Sequence, residues 1–245
     1  MKILNENDIH LKFLLGLSIP VDGIGELKSP LLKDIVDLTE ESYNMALSSI
    51  FFDRKNLDVD PEQVKDLSDF EILSSIIYHD GSFRDVFFDA LELHFGKTPR
   101  LHEQGFVYFD EASEETVLTD ERFGYMKKLI RIANNLAEEE KEEDEIIAGN
   151  ERARQFMEEQ KKRKALLAKL KKPKINLHSI ISAVGWKSKS FDFINQLNIY
   201  QLYNGYSRFQ LFDNYHYTMN GIYAGTIDTS KLKLEDINWA NIFNT

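Results

Sequence analysis

The sequence predicts a mainly α-helical protein with a small β-hairpin element. It divides into an α+β N-terminal domain (residues 1–137), a charged helical linker (138–174) and an aromatic-rich, all-α C-terminal module (175–245). Three observations predict this. Residues 1–150 sum to −18, residues 151–174 to +7 and residues 175–245 to zero, so the net charge of −11 is distributed in blocks. Most apolar residues recur at helical spacing behind recognisable helix-start residues. The last 71 residues hold thirteen aromatic side chains.

Taken in order, residues 11–19 read as a strand, and Val21-Asp22-Gly23-Ile24-Gly25 reads as the turn after it. Ser29-Pro30 predicts a helix entry, with Ser as N-cap and Pro at the first helical position, leading into a short helix from Leu31 to Asp37. Thr39, with Glu40 and Glu41 in the first turn, starts a helix to about Phe52, its acidic residues complementing the helix dipole. Asp60-Pro61 opens another. Ser68-Asp69-Phe70-Glu71 is a capping box, and the helix behind it carries Phe70, Leu73, Ile76 and Ile77 on one face. A helix from Ser82 to Phe95 buries Phe83, Val86, Phe87, Ala90, Leu91 and His94, and Gly96 ends it. Two short strands follow, Leu101–Asp110 and Glu115–Thr119, with Phe106, Tyr108 and Val117 pointing inward.

Thr119-Asp120 caps a long helix whose apolar stripe runs through Phe123, Met126, Leu129, Ile130, Ala133 and Leu136. The stripe thins where the run Glu138–Glu145 begins, and Pro173 stops the helix. The acidic run and the later Lys161-Lys162-Arg163-Lys164 carry charge that no core would bury unpaired, so the stretch reads as a solvated spacer. In the last part, a helix from Ile175 to Val184 ends at Gly185. Ser188 or Ser190 caps a second, to Leu197. A long third helix runs from about Asn198 to Ala224, with Gly225 past its end, and a terminal turn holds Trp239, Ile242 and Phe243.

The chain has no cysteine, hence no disulfide framework and no thiolate metal site. The N-terminus lacks the features of a signal peptide, and no segment approaches the apolar length of a membrane span. Among the six histidines none forms HExxH, and none pairs with another at metal-ligand spacing. Asp53, Asp58 and Asp60 lack the glycine that a calcium loop requires, and helix capping explains Asp60 better. Gly23-Ile24-Gly25 lacks the third glycine of a dinucleotide-binding turn. No constellation supplies nucleophile, base and stabiliser, so the sequence predicts no enzyme, no cofactor and no metal.

Residues 175–197 have the outline of a helix-turn-helix. The neutral domain around them and the apolar Phe191, Phe193 and Ile194 argue against DNA reading. The strongest remaining signal is aromatic. Tyr200, Tyr203, Phe209, Phe212 and Tyr223 read mostly as core of the long helix. The surplus tyrosines Tyr206, Tyr215 and Tyr217 exceed what so small a module buries with hydroxyls satisfied. Tyrosine is favoured at protein interfaces. The expected partner-binding set is therefore Trp186, Tyr200, Tyr203, Tyr206, Arg208, Phe212, Tyr215, Tyr217 and Trp239, as anchors or as the core beneath them.

Two segments carry a resemblance. Gly23-Ile24-Gly25-Glu26-Leu27-Lys28-Ser29-Pro30-Leu31-Leu32-Lys33-Asp34-Ile35, with Tyr43-Asn44 downstream, is similar to a recurring opening of phage tail-morphogenesis proteins from Gram-positive hosts. Val184-Gly185-Trp186-Lys187, Ile199-Tyr200-Gln201-Leu202-Tyr203, Arg208 and Asn238-Trp239-Ala240 resemble the C-terminal part of tail assembly chaperones. The resemblance implies a non-enzymatic assembly factor in the host bacterial cytoplasm. Its partners would be tape-measure and tail-tube proteins, with self-association left open and no role for nucleic acid or membrane. Two other readings stand beside it: a structural tail or baseplate component retained in the virion, and a DNA-binding regulator using the basic segment 161–197.

Overall fold

The computed structural model describes residues 4–52, 67–110, 116–136, 175–228, 230 and 232–241. The Asp60-Pro61 helix start, the charged spacer, Ile242 and Phe243 lie outside these residues. The described part is mainly helical with two small antiparallel hairpins.

The chain opens with a helix, α1 (Glu6–Leu14), where a strand is expected. Asn5 caps it by accepting from Asp8 N, and Ile9 and Phe13, one turn apart, are its buried contacts. Strand structure begins only at β1 (Ile19–Val21), which pairs with β2 (Gly25–Leu27) so that Ile19 faces Leu27. The turn at Asp22–Ile24 is the one that the glycines predict.

Ser29 does not cap α2 (Leu32–Leu38), which has Leu31 in the N-cap position with no side-chain cap. Ser29 is buried; its Oγ donates to Ala133 O at 2.9 Å and accepts from Tyr200 N at 3.2 Å. These distant partners account for its place better than local helix chemistry. Thr39 caps α3 (Glu40–Ile50) as expected. The capping box at Ser68 and Glu71 is present at the head of α4 (Asp69–His79). Asp80 caps α5 (Gly81–Phe95), and Gly96, at φ 65°, ends it in the left-handed region that glycine tolerates.

Residues 100–108 form a hairpin, β3 (Arg100–Leu101) with β4 (Val107–Tyr108), rather than one strand. The inward positions are out of phase with expectation by one residue. Val107 and Phe109 are buried, while Phe106, Tyr108 and Val117 are half-buried. With a side-chain period of two, that slip exchanges the faces of the strand.

Thr119 caps α6 (Asp120–Ala133), and the predicted stripe is buried through Ala133. The helix ends there, with Asn134 as C-cap and Asn135 in the left-handed region at φ 53°, so it does not run on into the charged segment. Beyond that segment come α7 (Leu177–Ser188), α8 (Phe191–Ile194) and α9 (Ile199–Tyr223). Gly185 does not end α7. It lies buried inside the helix because the Phe191 ring occupies the space that a Cβ would need. Ser190, not Ser188, caps α8.

One hydrophobic cluster runs through all of this. Ile9, Phe13, Leu91 and Leu129 from the first 137 residues share it with Leu177, Ile180, Ile199 and Leu202. α9 packs on α1, α6 and α7. Inside the core sits a polar chain: the Tyr43 hydroxyl donates to Asn134 Oδ1, and Asn134 Nδ2 donates to His94 Nε2 at 3.0 Å and to Ile130 O at 2.7 Å. His94 Nδ1 donates to Ala90 O at 2.7 Å. His94 is therefore the satisfied core histidine that its apolar helix face predicts. Burial lowers its pKa to about 4, because the charged imidazolium would lose its water.

Candidate functional site

The site to be tested is the aromatic helix α9, which begins deep in the protein and ends outside it. Asn198 forms a capping box with Gln201, and its Nδ2 donates to Phe13 O at 3.0 Å. Backbone bonds from Leu32 N to Leu197 O (2.9 Å) and from Ile199 N to Pro30 O (2.8 Å) stitch this start to the segment ahead of α2. The two segments that carry the sequence resemblance thus meet at Pro30–Leu32 and Leu197–Ile199.

Ile199, Tyr200 and Leu202 are the buried residues of α9, and none beyond Leu202 is fully buried. A helix of 25 residues is about 37 Å long, so most of its length lies past the core. The face that packs inward through Tyr203 and Tyr206 continues, at helical spacing, through Gln210 and Asp213 to Tyr217. Tyr217 is 74% exposed. The helix overhangs the core that anchors it.

The expected partner-binding residues fall into three groups. Tyr200 is core: it is 5% exposed, its hydroxyl lies 2.9 Å from His10 Nδ1, and its ring tilts against Phe13 at 6.1 Å. Tyr203 and Tyr206 are half-buried against the same cluster, and Tyr215 is half-buried farther out. Burial raises the pKa of the Tyr200 hydroxyl. It does the same at Tyr203, where the Glu40 carboxylate adds to the effect.

The second group is a bracket beside the helix. Arg208 Nη1 donates to Trp239 O and Asn241 O, both at 2.8 Å, holding the C-terminal segment against α9. Phe212 packs edge-on to Trp239 at 6.0 Å and to His216 at 5.2 Å. On the α7 side, Lys187 is ion-paired with Asp213 and its ammonium lies 5.5 Å from the Phe209 ring centroid.

The third group is exposed. Trp186 is 74% exposed, and its ring is T-shaped to that of Phe191 at 5.6 Å. Tyr217 belongs here, as does Tyr223 at 80% exposure, which sequence reasoning placed in the core. Phe212 also corrects that reading, since it is exposed like Trp239. Of the expected packing face, Phe193 is exposed too, Phe191 is 45% exposed although its ring is seated on Gly185, and Ile194 beside them is buried. No local signal separates Tyr200 from Tyr223, because the difference lies in where the core stops.

Among the described residues no group of three or more His, Asp or Glu could hold a metal ion. No helix among them is long and apolar enough to cross a membrane. In the helix-turn-helix outline, the would-be recognition element α8 has four residues.

The fold and this site define a helical protein that presents an aromatic arm. Residues 169–244 match the family described as the YomV second domain, a phage-associated domain family. The match spans less than a third of the chain and covers α7, α8, α9 and the bracket at Trp239. No curated protein and no solved structure matches the chain.

Proposed function

We propose that the chain is a non-enzymatic phage tail assembly chaperone or scaffold that grips a tape-measure or tail-tube protein with the outer half of α9. The observation that carries this reading is the overhang. Phe212, Tyr217 and Tyr223 stand exposed on one helix whose root is fixed in the core, and Trp186 of α7 and Trp239 of the C-terminal segment are exposed beside it. Large rigid rings on a pre-positioned helix lose little entropy on docking and supply most of an interface's energy. The phage association of the matched segment agrees with that role.

The test is mass spectrometry of purified phage particles beside the infected-cell lysate, combined with capture by the tagged full-length chain. The expected result is abundance in lysate, absence from particles, and capture of a tail protein that Tyr217→Ala with Tyr223→Ala weakens about tenfold or more, as hot-spot truncation does. Stoichiometric presence in particles would replace the chaperone with a structural tail or baseplate component. Unchanged capture by the double variant would remove the outer half of α9 as the contact.

A further inference from the structure

A second surface lies between α3 and α5. α3 and α5 enclose an open groove of about 930 Å³ beside the start of α7. Its apolar wall includes Met45, Phe83 and Val86, with Met45 54% exposed, while Glu40, Glu41 and Asn176 stand among the polar groups. Two carboxylates and no basic side chain line it. Asp85 and Asp89 follow Ser82 and Val86 of the lining at three-residue spacing, so their carboxylates extend the acidic edge along α5. The Asp89 carboxyl is held above its usual range by partial burial and by the charges of Glu92 and Asp85, a like-charge row that a cation would relieve. The groove thus offers an apolar wall with a negative border.

We propose that this groove is the docking site, in cis, for the chain's own basic segment, residues 161–172. That segment reads Lys-Lys-Arg-Lys-Ala-Leu-Leu-Ala-Lys-Leu-Lys-Lys, so Leu166, Leu167 and Leu170 stand among seven cations. Its chemistry is the complement of the groove. Its position is equally specific: Asn176 is itself a lining residue, and Lys172 lies only four residues before it. Four extended residues reach at most about 14 Å. A tether this short gives the segment an effective concentration on the order of millimolar at the groove. Methionine, unbranched and polarisable, suits a wall that receives leucine side chains of unmatched shape.

The absence of cysteine from the sequence makes the test direct. Met45→Cys with Leu167→Cys places one thiol on the groove wall and one in the basic segment. Leu17→Cys with Leu167→Cys is the control, Leu17 being exposed on the turn after α1. Both full-length proteins are oxidised at micromolar concentration after their unfolding midpoints are shown to match the parent. Docking in cis predicts a disulfide within one chain that forms about tenfold or more faster in the groove pair than in the control, as effective concentration requires. It also predicts that Glu41→Lys with Asp85→Lys, or high salt, slows the groove pair toward the control rate. Equal rates in the two pairs would overturn the proposal, as would a rate indifferent to charge. A disulfide found only between two chains would assign the groove to a second copy and overturn docking in cis.

Discussion

The first and last turns of α9 place the same side-chain chemistry in opposite surroundings. Tyr200, at the root, is enclosed by Phe13, His10 and the Ser29 segment, with its hydroxyl beside an imidazole nitrogen. Tyr223, at the tip, is 80% exposed. Nothing in helix propensity separates the two. The difference is that the core formed by α1, α6 and α7 supports the first turns and stops short of the last. A continuous helix can therefore serve as foundation at one end and as presentation at the other, and substitutions along it should change from structural to functional.

The root should be the most sensitive. Tyr200→Ala removes a buried ring and its hydroxyl contact, so it should cost about 3–5 kcal/mol, the range for large-to-small changes in a packed core. Urea unfolding of the full chain measures this directly. A cost below about 1 kcal/mol would mean that α9 is not seated in the core as described.

The next effect concerns acid. His94 is neutral in the folded protein, with its pKa lowered to about 4, and an unfolded histidine titrates near 6.5. Between those values the unfolded chain binds the proton and the folded chain does not. The stability present above pH 6.5 is therefore lost as pH falls toward 4, by about 3 kcal/mol in all. Protonation would also place a second N–H against the Asn134 amide, which already donates to Nε2. Unfolding curves at pH 7, 5.5 and 4.5 should show the decline, and His94→Gln should flatten it. Retention of the full slope in that variant would assign the acid sensitivity to other groups.

Asn198→Ala tests the joint between root and core. The side chain both caps α9 and donates to Phe13 O. Loss of the cap costs about 1 kcal/mol, and loss of the buried bond to Phe13 O, which keeps Gly16 N as a partner at 3.1 Å, adds about 0.5–1.5 kcal/mol more. A loss confined to the cap value would show that the Gly16 N–H alone satisfies Phe13 O.

Much of the local architecture was legible before the structure, because helix starts are written in neighbouring residues. Thr39, Ser68, Thr119 and Asn198 each cap the helix they were expected to open, and Gly96 and Gly225 stand just past helix ends. The errors share a different cause. The apolar run at Leu11–Ile19 fits a strand locally, but Ile9 and Phe13 are buried together only on a helix. Ser29 has every attribute of an N-cap, yet its partners are Ala133 and Tyr200, distant in sequence. Gly185 looks like a stop and is instead a seat for Phe191. The aromatic residues were visible as a group. Their division into root and arm was not, since it depends on where α1, α6 and α7 end.

That division gives the smallest expected effect on stability and the most informative one on function. Tyr217→Ala and Tyr223→Ala remove exposed rings that no described residue encloses, so each should move the unfolding free energy by no more than about 0.5 kcal/mol. If the outer half of α9 is a docking surface, the same changes should weaken partner capture about tenfold or more. Stability and capture would then respond in opposite order along one helix: Tyr200 dominating the first, Tyr217 and Tyr223 the second. A double variant that unfolds more easily would show that the arm packs on the protein itself, and the contrast between the two ends of α9 would disappear. A variant normal in both respects would keep the contrast in packing and move the search for a partner surface to Trp186 and the exposed rings of α8.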